Sequence, residues 1–310
     1  SVRVNALLEV SRGRLWLGCQ SGLQYLQDGK LVPIPLPTNA VYEVCAIAED
    51  RKNRIWAGTK NSGLVCWANG RLSYYTQTNG LPMNSIWALH VDAQDTLWIG
   101  TFGGGLSRLQ EGKFVNYSQR NGLADDTISC ILEDHAGWFW FCSPHGVFRV
   151  SGRDLESFAE GKTKTISSIN YGRSDGLPSS ECTGGYQPAG WRTGDGRLLF
   201  PTLKGVAVVR PESMTFNSHP PPVKIEDAIL GQTGRRIALT TDANGEAKTV
   251  ENFPTNRPDA TGEWIIPPGE SRLEIRYTAC SGPAPDKGRC RYRIAGLDAD
   301  WVQAGTRRSV

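Results

Sequence analysis

At 310 residues, with 39% hydrophobic and 21% charged side chains, the chain has an ordinary globular composition and enough length for two folded units. Thirty-four Lys and Arg against 31 Asp and Glu leave a net charge of +3 with no run of five like charges, which excludes the one-faced basic footprint of a nucleic-acid binder. No stretch of about 18 apolar residues occurs, so no segment reads as a membrane-spanning helix. The opening "SVRVNALLEV" lacks the basic and apolar regions of a signal peptide and reads as the interior of a fold, which predicts further sequence upstream.

In chain order, one pattern recurs: "GRLWLGCQSGLQYL" (13–26), "NRIWAGTKNSGLVCW" (53–67), "DTLWIGTFGGGLSRL" (95–109), "GWFWFCSPHGVFRV" (137–150) and a weaker "GRLLFPTLKGVAVV" (196–209). Its key positions, Trp16, Trp56, Trp98, Trp140 and Phe200, stand 40, 42, 42 and 60 residues apart. Each copy contains an apolar run, a polar turn, a short strand, a glycine turn, a second strand, another turn and an outer strand. A connector such as "NGLPMNS" (79–85), "NGLADDT" (121–127) or "DGLPSSE" (175–181) follows. Four short strands in about 42 residues predict an all-β chain of β-propeller blades, with about five repeats visible. The glycine triplet at 103–105 could cradle phosphate, but no helix pattern follows it as a phosphate loop requires. It reads as one version of the turn that recurs as "CQSG", "TKNSG" and "SPHG". The longer last spacing accommodates "SGRDLESFAEGK" (151–162) as a short helix, with Ser151 as its cap, Leu155 and Phe158 on one face and Gly161 as its end.

The repeat stops near the proline cluster at 220–222, which predicts propeller repeats over 1–218 and a second domain over 219–310. There, "VKIEDAIL" (223–230), "GEWIIP" (262–267), "SRLEIRYTA" (271–279) and "RCRYRIAGL" (289–297) read as strands of a small Ig-like β-sandwich that ends too early to close, with 240–262 as a polar loop. The eight cysteines include no Cys-x-x-Cys pair; most sit in apolar strands as small hydrophobes. Cys280 and Cys290 flank a Gly/Pro loop where a disulfide could staple a hairpin in an oxidising compartment.

The repeated "NGLP…D…LW-x-G-T…GL" pattern resembles the bacterial two-component regulator propellers. So does "SDGLPSSECTGGYQPAGWRTGDGRLLFPTLKGVAVVRP" (174–211) as a terminal blade, followed by "PPVKIED…RYRIAGLDADW" as an Ig-like domain with a tyrosine pattern. The resemblance covers nearly all of the chain. It implies a periplasmic sensor region of an inner-membrane protein, joined through a downstream membrane helix to a histidine kinase or another output module and homodimeric at full length. Several such relatives respond to oligosaccharides, so the implied partner is a small-molecule ligand, an oligosaccharide among the candidates. The chain departs from the family in showing five repeats rather than about seven, in a sandwich without its last strands, and in having no membrane helix or kinase.

Propeller ligands collect at the channel mouth, where connectors and glycine turns converge. That makes Asn84, Ser85, Asp125, Asp126, Ser180 and Glu181 candidates from the connectors, and Lys60, Asn61, Phe102, His145 and Lys204 candidates from the turns. Asp and Asn are also favoured in turns for backbone reasons alone. Phe102, Tyr186 and Trp191 are the loop aromatics suited to stacking on a sugar, whereas the repeat tryptophans read as core. His90, His135, His145 and His219 share no metal-ligand spacing, so neither a metal nor a cofactor is predicted. Asp126 and Glu181 could form a glycosidase-like pair, the basis of an alternative hydrolase or lyase reading; a protein-interaction platform is the third. The sequence shows no Gly-x-Ser-x-Gly elbow or Cys/His nucleophile signature, and the expectation for this piece is a non-catalytic sensor.

Overall fold

Each repeat folds into one antiparallel sheet whose strands pair in sequence order. Blade 1 is β1 (Val4–Glu9), β2 (Leu15–Cys19), β3 (Gly22–Gln27) and β4 (Lys30–Pro33), and blade 2 is β5 (Val44–Glu49), β6 (Ile55–Thr59), β7 (Leu64–Ala68) and β8 (Arg71–Tyr75). Blade 3 is β9 (Ile86–Val91), β10 (Leu97–Thr101), β11 (Leu106–Gln110) and β12 (Lys113–Tyr117), and blade 4 is β13 (Cys130–Glu133), β14 (Trp138–Ser143), β15 (Gly146–Ser151) and β16 (Ser168–Tyr171). The fifth sheet has three strands among the described residues, β17 (Trp191–Arg192), β18 (Leu198–Thr202) and β19 (Gly205–Val209), so it is one short of the predicted four. This computed structural model describes residues 3–37 and 40–214 and, beyond them, 223–230, 235–238, 240–241, 247–248, 273–279, 290–294, 297–305, 307 and 309. The chain divides into two units, 1–214 and 215–310.

The first strands of blades 1 to 4 lie against one another, which places them innermost. The second strands are apolar on both sides because each blade is covered on both faces; β6 and β10 are buried at every position. The outer strands β8 and β12 are mostly half-buried or exposed. Trp16, Trp56, Trp98, Trp140 and Phe200 are all at most 2% exposed, each in an apolar cluster between consecutive blades, as the repeat predicts. The glycine of the "W-x-G" motif is a packing requirement. A Cβ on Gly58 or Gly100 would meet Ile86 or Ile128 of the next blade at 2.5 and 2.7 Å. The third-to-fourth strand hairpins turn through Asp28-Gly29, Asn69-Gly70 and Glu111-Gly112, every residue of which has positive φ, the two-residue turn whose twist matches the strands.

The predicted helix is α1 (Gly152–Ala159), inserted between the third and fourth strands of blade 4. Ser151 holds the capping position, but its side chain makes no cap hydrogen bond. Leu155 is fully buried, Phe158 packs on Tyr117 at 5.1 Å, and the Tyr117 hydroxyl donates to the Leu155 carbonyl at 2.9 Å.

In the second unit, β20 (Val223–Leu230) lies between β21 (Arg235–Ala238) and β24 (Leu273–Ala279), with β22 (Thr240–Thr241) paired to β23 (Ala247–Lys248) and β25 (Cys290–Tyr292) to β26 (Val302–Gly305). The strand predicted at 262–267, most of the 240–262 loop and Cys280 lie outside the described residues, and so does the predicted Cys280–Cys290 pairing.

Candidate functional site

The two sets of predicted residues are brought side by side by backbone bonds at the start of each innermost strand. The Lys60 amide donates to the Glu43 carbonyl (2.9 Å), the Phe102 amide to Ser85 (2.9 Å) and the Leu203 amide to Glu181 (3.1 Å). Two of the predicted residues also support turns. Asn84 Oδ1 accepts the Gln77 amide at 2.9 Å and, one repeat later, Asp126 Oδ1 accepts the Gln119 amide at 2.8 Å. The carboxylate of Asp126 is thus engaged in its own connector, while Glu181 is exposed on the next one. Asn61, Ser180 and Lys204 are exposed, and Lys60 Nζ reaches Glu43 at 3.5 Å. Buried Asp125 accepts the Thr127 amide through Oδ1 (2.9 Å) and faces the exposed His145 ring, Oδ2 to Nδ1, at 2.7 Å.

The glycine triplet is consumed by the fold. The amides of Gly103 and Gly105 donate to the Asp126 carbonyl at 3.0 and 2.7 Å, and that of Gly104 donates to Thr101 Oγ1 at 3.1 Å. With all three N–H groups satisfied by protein, nothing is left to cradle an anion, in agreement with the turn reading.

The channel is crossed by the segment 183–190. The Gln187 amide donates to the Asn5 carbonyl of blade 1 at 2.8 Å, while its side chain clamps blade 2, accepting the Ile47 amide (2.5 Å) and donating to the Ile47 carbonyl (2.9 Å). A side-chain amide thus stands in for a strand neighbour, and the Gln187–Pro188 peptide is cis. The segment leaves a cavity of about 300 Å³ lined by Trp87, Ser129, Cys130, Tyr186, Gln187 and Trp191 among others. Phe102 stacks on Trp87 at 4.5 Å and 28° and is 48% exposed; Tyr186 is 41% exposed and its hydroxyl lies 2.8 Å from Thr183 Oγ1. Two of the three predicted loop aromatics, Tyr186 and Trp191, therefore line the cavity and the third, Phe102, covers the ring of Trp87. Trp87 itself escapes sequence reading because an innermost-strand tryptophan looks like core.

A larger cleft of about 710 Å³ opens beside the turns that join first to second strands, lined by Glu49, His90, Asp92, Glu133, Asp134 and Arg192 among others. None of the predicted binders lines it. Its groups are largely committed: His90 Nε2 faces Glu133 at 3.4 Å, the Ser11 amide and hydroxyl donate to Glu49 at 2.7 and 3.0 Å, and Arg192 donates to the Glu133 carbonyl at 2.9 Å. Asp50, Asp92 and Asp134 accept two backbone amides each and also the indole N–H of Trp56, Trp98 and Trp140, at 2.8, 2.7 and 2.7 Å. Their 42-residue period was the available signal for this role. Size alone favours this cleft, but the smaller axial cavity has the aromatic lining that binding sites use.

Among the described residues no group of three or more His, Cys, Asp and Glu side chains is placed to hold a metal, and no helix is long and apolar enough to cross a membrane.

The family model for the two-component regulator propeller matches residues 35–61 and 80–103, each match running from a connector into the first two strands of a blade. No curated protein matches the chain. Among solved structures, the extracellular domain of BT4673 from B. thetaiotaomicron, a proposed one component system, is similar over 100% of this chain and 52% of that one, at 16% identity and a TM-score of 0.54. The extracellular domain of BT3049 from the same organism, a proposed hybrid two component system, shares 20% identity over 98% of this chain and 45% of its own, with a TM-score of 0.48. Virginiamycin B lyase from Staphylococcus aureus, in a catalytically inactive form with quinupristin, shares 15% identity over 80% and 84%, with a TM-score of 0.51. The chain spans about half the length of the two B. thetaiotaomicron domains. At these identities the likeness is one of fold. The family model thus matches parts of blades 2 and 3, and the same sequence grammar recurs in the other three blades.

Proposed function

We propose that this chain is part of an extracytoplasmic sensor of a two-component signalling regulator, that it binds a small molecule at the propeller axis, and that it is not itself an enzyme. The observation that carries this reading is a ring-lined axial cavity within repeats of that family. Trp87, Tyr186 and Trp191 offer apolar faces, and Gln187 and Ser129 offer hydrogen bonds between them. That combination suits the alternating apolar and hydroxyl surfaces of an oligosaccharide. The ligand would act by preferring one of two arrangements of the segment 183–190, which links blades 5, 1 and 2; it biases the output only by its difference in affinity for those two states. The output would pass through a membrane helix and a signalling module outside this chain, in a periplasmic, homodimeric receptor.

The hydrolase or lyase reading finds support in fold alone, through the S. aureus lyase. The carboxylate of Asp126, one of its two acids, supports a turn instead. The sensor reading is tested by a melting screen against a panel of oligosaccharides. A ligand at about 100 times its Kd adds about 2.7 kcal/mol, a shift of a few degrees. Tyr186→Ala is expected to weaken the responding sugar about tenfold or more while leaving the unliganded melting temperature within a few degrees. No response across the panel, or an unchanged affinity in Tyr186→Ala, would reject the oligosaccharide at this cavity.

A further inference from the structure

The blade 4–blade 5 junction departs from the others at one repeated contact. Where blades 2 and 3 meet, Gly58 faces Ile86, and where blades 3 and 4 meet, Gly100 faces Ile128; Gly18 and Val44 make the same contact between blades 1 and 2. In blade 4 the motif runs Trp140-Phe141-Cys142, so Cys142 holds the glycine position. The connector into blade 5 runs Ser180-Glu181-Cys182, so Cys182 holds the position of Ile128. Both members of the contact are changed at once, and both to cysteine.

The geometry of the repeat says what such a pair can do. At the three glycine junctions an added Cβ would stand 3.0 to 3.2 Å from the Cβ of its partner, whereas a disulfide holds its Cβ atoms about 3.5–4.5 Å apart. The repeat contact is thus close to the spacing a disulfide requires. The Cys182 amide donates to the carbonyl of Ser143, next to Cys142, at 3.3 Å, and both side chains lie in the cluster between blades 4 and 5. Cys130 is the register partner of Cys142 across β13 and β14, and all three cysteines lie in that one cluster. The neighbouring Cys142 thiol holds the Cys182 thiol below the ordinary range, while burial pushes Cys142 up. Cys142 is fully buried; Cys182 is 7% exposed and follows the exposed Ser180 and Glu181.

We propose that Cys142 and Cys182 are an oxidative modification site, a dithiol that peroxide converts to a disulfide stapling blade 4 to the connector of blade 5. The Cys182 thiolate attacks one oxygen of hydrogen peroxide, the O–O bond breaks, and the departing hydroxide takes a proton to become water, leaving a sulfenic acid. The Cys142 sulfur then attacks that sulfur, the S–S bond forms, and the hydroxyl leaves as a second water with the proton of Cys142. Two thiols and one peroxide give one disulfide and two waters. Cys130 is the competing third thiol, able to pair with Cys142 inside blade 4. Cys130 also lines the axial cavity, whereas neither Cys142 nor Cys182 does.

Peptide mapping of the full chain tests it. After treatment with hydrogen peroxide, alkylation in denaturant and tryptic digestion without reductant, Cys130 and Cys142 fall in one peptide (121–149) and Cys182 in another (174–192). The expected product is the two peptides joined, two hydrogens lighter than their sum, with Cys130 alkylated; Cys130→Ser is expected to give the same link. The oxidised chain is expected to melt several degrees above the reduced one, because a closed loop restricts the unfolded chain. A bond confined to peptide 121–149, or full alkylation of all three thiols while the chain stays folded, would overturn the proposal.

Discussion

Asp92 shows how one side chain fixes a blade. Its Oδ1 accepts the amides of Gln94 and Thr96, shaping the turn before β10, and its Oδ2 accepts the indole N–H of Trp98, which is 1% exposed. One carboxylate thereby satisfies three donors and sets the orientation of the largest core side chain, and Asp50 and Asp134 repeat the arrangement. Asp92→Ala leaves a buried indole N–H unsatisfied, and bonds to a charged acceptor are each worth about 1.5–3 kcal/mol before water replaces part of them. The expected cost is about 2–4 kcal/mol, read as a lower urea midpoint with an unchanged slope. Blade 1 has Val10 at the corresponding position, so Val10→Ala is expected to cost less than Asp92→Ala in the same measurement. This role was open to sequence reading through its period. The period is the necessary signal, because Asp in a turn is common for backbone reasons alone.

At the scale of the element, the glycine turn of blade 3 separates conformational from steric demand within three residues. Gly103 and Gly105 have φ of +87° and +81°; a Cβ on Gly103 meets nothing within 4 Å, whereas one on Gly105 would lie 2.1 Å from the Tyr117 carbonyl oxygen. Gly103→Ala is therefore expected to cost about 1 kcal/mol, the left-handed penalty of a residue with a Cβ. Gly105→Ala must also displace the end of β12, and about 2–4 kcal/mol is expected, measured as a difference between the two urea midpoints. The strands themselves were legible from the repeated grammar. The three-stranded form of the fifth sheet was not, because "GVAVV" reads the same whether or not a fourth strand follows.

At the scale of the whole molecule, folding buries Cys45, Cys66 and Tyr117 away from water. Burial pushes Cys45 and Cys66 up to about 11, with Glu43 adding to the effect at Cys45, and burial pushes the Tyr117 phenol up as well. These groups are neutral when protonated, so the folded chain holds protons that the unfolded chain releases above about pH 9. Stability is therefore expected to be at its full value below pH 9 and to fall as pH rises toward 11. Urea midpoints at pH 7, 9 and 10 check the direction; a Cys45→Ala, Cys66→Ala double variant should flatten the decline, and an unchanged slope would show that other groups cause it.

The sequence by itself determined the strands, the hairpin turns, the tryptophan at each blade junction, the inserted helix and the turn nature of the glycine triplet. All of these follow from local chemistry repeated at a near-constant period. Only the tertiary structure decided what depends on residues far apart in the chain. It set Gln187 onto Ile47, 140 positions away, placed Trp87 beneath Phe102, and opened the larger cleft on the side away from every predicted binder. It also engaged the side chains of Asn84 and Asp126 with turn amides, and set Cys142 against Cys182 at a contact that glycine and isoleucine make elsewhere. A repeat specifies what each blade is made of. Which side chains share a cavity depends on how the blades stack and where a connector crosses the axis, and no window of sequence contains that information.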